Sequence, residues 1–131
     1  CKHMDPSRPI SVTEWRKARP NPNTVPDDRF STLMGRVAAF HDKHAFEHSG
    51  GHDMGFRLAL TIEELGELSA AITKGRSNNE IAVELADVII LCLGHALALE
   101  IDVEKEIHRK LDVIMQRESK QGHLGKRVTD G

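Results

Sequence analysis

Residues 81–99 read IAVELADVIILCLGHALAL and are apolar along almost their whole length. Glu84 and Asp87 alone carry a formal charge at neutral pH, and both are acidic. They stand three residues apart, so on a helix they lie on the same side, about 60° from each other. A helix that is apolar almost all round is expected to be buried, and a buried carboxylate is costly unless a cation compensates its charge. The stretch therefore predicts a core helix that carries a cation-binding pair of acids.

A second acidic pair, Glu64 and Glu67, has the same spacing on the predicted helix before this one, residues 56–74. The apolar residues of that helix form a wide arc at about 100° per residue. Its members are Leu58, Ile62, Leu65, Leu68 and Ile72. Glu64 falls inside this arc, and Glu67 sits at its edge. Such acids can pair with Lys or Arg or lie on a solvated stripe, but four carboxylates on two apolar helices favour a metal site.

The ligand chemistry of this site points to a hard cation. Four carboxylates offer only oxygen atoms, which suits Mg²⁺ and admits Mn²⁺. Zinc and non-haem iron prefer nitrogen or sulfur in the ligand set. The di-iron helical bundles use a Glu-x-x-His pattern, and no histidine of this chain has a glutamate three residues before it. The sequence therefore predicts a magnesium site in preference to a di-iron site.

Composition indicates the cellular compartment of the protein and argues against some classes of partner. The 131 residues suffice for one domain with a core. The net charge of −2 gives no broad basic field for a nucleic-acid polymer. Cys1 and Cys92 suggest no disulfide framework, and no secretory leader opens the chain. Two acids near the middle of residues 81–99 would each cost about 2.5–3.5 kcal/mol in a bilayer. We therefore expect a cytoplasmic protein that binds neither a membrane nor a nucleic-acid polymer.

Periodicity predicts an all-α fold, a four-helix bundle. Long helical patterns dominate, aromatic residues are scarce, and alternating β-branched runs are absent. The predicted helices cover residues 30–46, 56–74 and 79–99, and a fourth begins near residue 102 and ends before residue 122. The capping signals are Gly75 after the second helix, Ser77 or Asn78 before the third, and Asp102 before the fourth.

The ends of the chain differ in composition from its middle. All five prolines lie in residues 5–28, which predicts an N-terminal arm over 1–28, with a possible cloning remnant at 1–4. The helical domain is then expected over 29–119. Residues 120–131 are expected to form a flexible tail.

The order of the acids resembles a known family. Glu63-Glu64-Leu65-Gly66-Glu67, followed by Glu84-Leu85-Ala86-Asp87, is similar to the EExxE…ExxD signature of the MazG-like all-α nucleoside triphosphate pyrophosphohydrolases. The similarity extends to FHDKH at 40–44 and to Arg57-Leu58. The resemblance implies hydrolysis of the α–β phosphoanhydride of a nucleoside or deoxynucleoside triphosphate, which yields a monophosphate and pyrophosphate. Such an activity would suit house-cleaning of the nucleotide pool.

The resemblance also implies roles for individual acids. The Mg²⁺ ligands would be Glu64, Glu67, Glu84 and Asp87. Glu63 matches the first acidic position of the signature and would activate the attacking water. Members of the family assemble as dimers or tetramers, so a homodimer or homotetramer is expected.

Basic side chains are needed for the remaining phosphate charge. The family often shows a KxxxNxxR-like stretch on its last helix. Lys110 and Arg117 fit this pattern, while Ile114 stands where asparagine is frequent. Lys74 and Arg76, at the end of the second predicted helix, are further candidates for binding substrate. A solvated surface cation is the alternative for each of the four.

The histidines allow several interpretations. His95 lies two turns beyond Asp87 on the same side and is a candidate substrate contact, with a hydrogen-bonded core or interface histidine as the alternative. Four others are spaced by three or four residues: His41, His44, His48 and His52. On a continuous helix they would line one side and suit zinc. The glycines at 50 and 51 predict a break, so surface positions or the border of a base pocket are expected instead.

Two other functions stay open at this stage. The first is a non-catalytic helical module that binds a nucleotide or a partner without turnover, for which the departure at Ile114 leaves room. The second is a phosphoribosyl-ATP pyrophosphohydrolase, which shares the fold. The sequence specifies neither the base nor the sugar of the nucleotide.

Overall fold

Four helices make up most of the molecule in the computed structural model, which describes residues 29–128. They are α1 (Phe30–Lys43), α2 (Met54–Thr73), α3 (Asn78–Leu99) and α4 (Val103–Met115). A 3₁₀ turn at Phe46–His48 follows α1, and two short strands, β1 (Ser119–Gln121) and β2 (Lys126–Val128), follow α4. The predicted all-α, four-helix architecture is confirmed. The proposed N-terminal arm over 1–28 lies outside the described residues.

The ends of α2, α3 and α4 follow the capping signals. Ser77 Oγ accepts the Glu80 N–H at 3.3 Å. Asp102 Oδ1 accepts the Lys105 N–H at 3.2 Å. Each cap satisfies a backbone donor that the helix leaves unpaired. Gly75 follows α2 with a φ of 66°, a left-handed conformation that costs glycine little.

The first helix is shorter than predicted. It ends at Lys43 rather than at residue 46, because Ala45 adopts a left-handed conformation with a φ of 51°. The chain then enters the turn at Phe46–His48 and leaves the axis of α1. His44 and His48 therefore do not extend the helical side that carries His41.

The packing centres on α3. α2 and α3 lie antiparallel and make the most extensive contact between elements of the described chain. α1 packs against the C-terminal half of α3, and together they form the hydrophobic core. Its buried members are Met34, Val37, Ala38, Leu93, Ala96 and Leu97. Phe30 and Val103 pack against the edge of this core, and α4 otherwise contacts the other helices only sparsely.

The expectation that α3 is buried along its length is wrong. Leu93 and Leu97 are 5 % and 2 % exposed, whereas Leu85 and Ile89 are 46 % and 47 % exposed. Cys92, on the same helix, is exposed as well. The cause is the position of α1, which covers only the C-terminal half of α3.

The predicted apolar arc of α2 is also largely uncovered. The prediction that Glu64 falls inside this arc is wrong, because the centre of the arc lies about 100° round the helix from Glu64, which faces α3. Four members of this arc are exposed, and we call these four together with two exposed residues of α3 the apolar stripe. The apolar stripe consists of Leu58, Ile62, Leu65, Ile72, Leu85 and Ile89, all between 46 % and 63 % exposed.

By length and composition, α3 also qualifies as a membrane-spanning helix. Its most apolar window has a mean hydropathy of 2.0, and 22 % of that window is buried. The core helix of a globular domain passes the same test, and Glu84 and Asp87 lie against Glu64 of α2. The length and composition of α3 are therefore only weak evidence for a membrane span.

The C-terminal segment forms a hairpin where a flexible tail was expected. β1 and β2 pair antiparallel, with Ser119 opposite Val128 and Lys120 opposite Arg127. The Gly122 N–H donates to the Gly125 carbonyl oxygen at 2.7 Å and closes the reversal. A short turn with two glycines can adopt conformations that other residues avoid, and this local signal was missed.

Candidate metal centre and adjoining cavity

Three carboxylates from two helices converge between α2 and α3. Glu64, Glu84 and Asp87 each place one oxygen within 4.8 Å of the other two. The i, i+3 spacing turns both acids of α3 toward α2, and the antiparallel packing brings Glu64 opposite them. Among residues 29–128, no second group of three His, Cys, Asp or Glu side chains meets in this way. The structure thus brings three of the predicted ligands together.

Two oxygens of this cluster have no hydrogen-bond partner. Glu64 Oε2 and Glu84 Oε2 are buried, and no described residue donates to either. Burying an anionic oxygen without a donor is costly unless a cation lies beside it. The donor set contains only carboxylate oxygens, which are the ligands that Mg²⁺ and Mn²⁺ prefer. The residues present therefore fit a hard divalent cation.

Burial and the neighbouring acids raise the pKa values of Glu64 and Glu84. Burial raises the pKa of Glu64, and the charge and hydrogen bonding of Glu67 raise it further. Burial likewise raises the pKa of Glu84, and the charges of Glu67 and Asp87 add to the effect. The negative charges around Glu64 and Glu84 thus hinder the ionisation of these two residues. A cation held between them would favour the ionised forms.

Glu67 and Glu63 occupy different places around the cluster. Glu67 acts on the pKa values of both Glu64 and Glu84, so it belongs to the same acidic group. Glu63 is exposed and lies about 100° round α2 from Glu64 and about 40° from Glu67. It therefore borders the cluster on the side of Glu67. Its role as the group that activates water stays a prediction.

Of the predicted phosphate-binding cations, Arg76 carries a charge that acts on the acids. It lowers the pKa of Glu84 and so opposes the other influences on that residue. The contacts of Lys74 and Arg117 with substrate stay predictions. Lys110 stands on α4, which packs sparsely against the other helices, so its contact with substrate stays a prediction.

A buried arginine lies next to the acidic cluster. Arg57 is only 4 % exposed. Its Nη1 donates to the Gly51 carbonyl oxygen and its Nη2 to the Leu91 carbonyl oxygen, both at 3.1 Å. Its Nε donates to Nδ1 of His95 at 3.0 Å. All three acceptors are neutral, so the charge of Arg57 is buried without a carboxylate among its hydrogen-bond partners.

The bonds between Arg57, His95 and Thr61 form a closed ring. Since a guanidinium only donates, His95 Nδ1 must accept, and the proton of the neutral imidazole lies on Nε2. That group then donates to Thr61 Oγ1 at 2.7 Å. Thr61 Oγ1 donates to the Arg57 carbonyl oxygen at 2.8 Å and completes the ring. Burial and the charge of Arg57 lower the pKa of His95, consistent with a neutral ring. Both nitrogens of His95 are thus engaged, and its predicted contact with substrate is untested.

Gly94 and His41 line the space around Arg57. A Cβ at Gly94 would clash with Arg57 Nη2 and would lie 2.8 Å from His41 Nε2. His41 is 3 % exposed, and its Nδ1 lies 2.7 Å from Nε2 of His52. Burial lowers the pKa of His41 to about 4, with Arg57 and His52 contributing. His41 is therefore neutral at pH 7.

Sequence reasoning missed the role of Arg57, although a signal was available. Arg57 stands seven residues before Glu64, so both lie within about 20° on one side of α2. A lone basic residue on the buried side of a helix, together with a glycine among the large apolar residues of α3, indicates a buried arginine crossing between helices. Two of the acceptors, Leu91 and His95, lie 34 and 38 positions further along the chain than Arg57. Local sequence patterns therefore could not predict these hydrogen bonds.

A cavity of about 160 Å³ opens beside this arginine. Its lining is aromatic and aliphatic for the most part: Phe40, Phe46, Phe56, Leu60, Ile90 and Leu91, with His41, Gly51 and Arg57. Leu60 lies four residues before Glu64, and Ile90 lies three residues after Asp87. The cavity is therefore about one helical turn from the carboxylates on both helices.

The histidine run does not form a metal site in the described residues. His41 and His52 pair with each other, while His44 is exposed and stacks on Phe46 with ring centroids 5.6 Å apart. No group of three potential ligands within residues 29–128 includes a histidine. Of the interpretations, a border of the cavity fits His41, and a surface position fits His44 and His48.

The fold and the site define an all-helical protein with an acidic cation site between two antiparallel helices. The model of one family, the MazG nucleotide pyrophosphohydrolase domain, matches residues 56–121, which include both acidic pairs. The chain belongs to this family. No curated protein and no solved structure matches the chain.

Proposed function

We propose that the protein hydrolyses a nucleoside or deoxynucleoside triphosphate to the monophosphate and pyrophosphate in a reaction that depends on Mg²⁺. Membership of the family supports action on a nucleotide phosphoanhydride. The observation that carries the finer proposal is the meeting of Glu64, Glu84 and Asp87, with two buried oxygens that lack donors. Acids with a purely structural role would pair these oxygens with basic or N–H groups. A function in nucleotide-pool house-cleaning is consistent with this chemistry.

In this proposal each acid has a distinct task. The residues that would hold Mg²⁺, or Mn²⁺ in its place, are Glu64, Glu67, Glu84 and Asp87. When bound, the ion neutralises charge on the phosphate oxygens and lowers the pKa of water. Glu63 accepts the proton of the attacking water from its exposed position at the border of the cluster. Arg76 offsets part of the negative charge of the departing pyrophosphate.

The test is a panel of nucleoside triphosphates with pyrophosphate release as the readout. Each substrate is assayed with Mg²⁺, with Mn²⁺ and with a chelator. Release that requires the metal supports the proposal. Turnover of phosphoribosyl-ATP alone would transfer the assignment to that reaction, and binding without turnover of any nucleotide would favour the non-catalytic module.

We further propose that a second copy of this chain covers the apolar stripe, which would give a homodimer or homotetramer. The stripe holds six large aliphatic side chains that the single chain leaves about half exposed. Large exposed groups of apolar side chains are often sites of contact between proteins. On the helical wheel, the stripe on α2 lies roughly opposite Leu60 and Glu67. A second copy on the stripe would therefore leave the cavity and the acidic cluster open to substrate.

A further inference from the structure

We propose that the cavity beside Arg57 receives the base of the nucleotide, and that Arg57 selects bases that present a carbonyl oxygen at the edge facing it. Uracil, thymine, guanine and hypoxanthine belong to this class, whereas cytosine and adenine carry an amino group at the corresponding position. This inference rests on the proposed function, which supplies a nucleotide as the ligand.

The lining of the cavity favours a flat ring over a phosphate. Phe40, Phe46 and Phe56 supply aromatic surface, and Leu60 and Ile90 supply aliphatic surface. A phosphate placed there would meet mostly apolar side chains, and Arg57 alone would have to replace its hydration. A heterocyclic ring gains stacking and burial of apolar area against the same side chains.

The position of the cavity connects it to the acidic cluster. Leu60 precedes Glu64 by four residues on α2, a rise of about 6 Å. Ile90 follows Asp87 by three residues on α3, a rise of about 4.5 Å. A ring between these side chains thus leaves the sugar and phosphates directed along the helix pair toward the carboxylates.

Arg57 provides the polar group that would hydrogen-bond to the ring. A guanidinium has five N–H bonds, and the described residues accept three of them. Two N–H bonds therefore remain without an acceptor among the described residues. The buried positive charge also has no negatively charged group among its hydrogen-bond partners. A buried cation in this state gains from any acceptor that a ligand brings.

The chemistry of the site also opposes an amino group. Arg57 can only donate, and its orientation is held by Gly51, Leu91 and His95. A carbonyl oxygen on the ring accepts a hydrogen bond from Arg57, whereas an amino group would place its own N–H bonds against those of Arg57. Sites that hydrogen-bond a ligand group discriminate strongly against analogues that lack it, because the buried partner is left unpaired.

The experiment compares substrates that carry a carbonyl or an amino group at this position, a change that also replaces the adjacent ring N–H by an acceptor nitrogen. UTP is paired with CTP, and ITP with ATP, and kcat/KM is measured for each with Mg²⁺. We expect at least a tenfold preference for the carbonyl member of both pairs. Equal rates, or a preference for the amino member, would overturn the inference without touching the proposed function.

Two variants tie the preference to the arginine. Arg57→Met should reduce the ratio within each pair to near one, mainly through kcat/KM of the carbonyl member. The matched control is Arg109→Met, because Arg109 is exposed on α4, and it should keep the wild-type ratios. A folded Arg57→Met protein with an unchanged preference would refute the assignment to Arg57. If this variant does not fold, by circular dichroism, the ratios of the wild-type protein decide.

A binding measurement separates this inference from the proposed function. If no triphosphate is hydrolysed, UMP and CMP are titrated while the Nε–H resonance of Arg57 is followed by NMR. Tighter binding of UMP, with a shift of that resonance, supports the base preference even though the proposed reaction has failed. Equal binding of the two monophosphates, or no shift at Arg57, overturns it.

Discussion

Gly94 lies directly against the guanidinium of Arg57, and the missing Cβ at this position is what lets the arginine cross from α2 to α3. The three acceptors of Arg57 come from the loop before α2 and from α3. A side chain at Gly94 would occupy the space of Arg57 Nη2 and press on His41. The stability of the protein depends on this contact, and its proposed activity depends on the acids one to two turns away.

Gly94→Ala should destabilise the protein. Alanine favours a helix over glycine by up to about 1 kcal/mol, but the added Cβ overpacks the contact with Arg57, which typically costs about 1–3 kcal/mol. We therefore expect a net loss in the free energy of unfolding, measured in urea. The matched control is Gly66→Ala on α2, where a Cβ meets nothing within 4 Å and should stabilise the chain. A stabilised Gly94→Ala variant would contradict the close contact.

Glu84→Gln and Asp87→Asn should each abolish pyrophosphate release that depends on Mg²⁺, with helicity unchanged. Each substitution removes a charged ligand while keeping the shape of the side chain. In a chelator, Glu84→Gln should melt at a higher temperature than the wild-type protein, because one of the mutually repelling charges is gone. Mg²⁺ should raise the melting temperature of the wild-type protein but not that of Glu84→Gln or Asp87→Asn.

The matched control for these variants is Glu106→Gln, at an exposed acid of α4. It should retain the wild-type activity and the response of the melting temperature to Mg²⁺. Full activity in either Glu84→Gln or Asp87→Asn would contradict the assignment of the metal centre.

His41 should make stability rise between pH 4 and pH 6.5. Its pKa is about 4 in the folded chain and about 6.5 when unfolded, so in this window the unfolded chain binds more protons. The free energy of unfolding therefore increases with pH, by as much as about 3 kcal/mol from this group. The free energy of unfolding is measured in urea at both pH values, and it should rise less for His41→Asn than for the wild-type protein.

The exposed His44 gives the control for this prediction, and His44→Asn should keep the wild-type dependence. The raised pKa values of Glu64 and Glu84 act in the opposite direction, since their folded forms hold protons more tightly and stability falls as they ionise. This contribution is present in all three proteins and cancels when the variants are compared. An equal rise in wild type and His41→Asn would exclude a neutral, buried His41.

Ile62→Glu should disrupt the assembly of the protein. Ile62 is 63 % exposed in the single chain and lies within the apolar stripe, so a charge there would be buried in the proposed contact between copies. Sedimentation equilibrium should show a dimer or tetramer for the wild-type protein and a monomer for the variant. Met115→Glu changes another exposed apolar residue, on α4 and outside the stripe, and should assemble normally. A monomeric wild-type protein would contradict the proposal.

Local patterns were enough to predict the helices and the meeting of three acids between two of them. The i, i+3 spacing of Glu84 and Asp87 placed them on one side of α3, and capping chemistry located Ser77 and Asp102. The extent of burial was not predictable in the same way. An apolar residue such as Leu85 fits a core or an interface equally well, and only the position of α1 shows that the single chain leaves it exposed.

The closed ring of Arg57, His95 and Thr61 fixes how α2 and α3 are aligned along their axes. If one helix slid past the other by a turn, about 5.4 Å, all the bonds between the helices in this ring would break together. The same slide would carry Glu64 away from Glu84 and Asp87. The ring therefore holds the acids in register without a cation, so an ion that bound there would meet a preorganised set of ligands and would not have to align the helices itself.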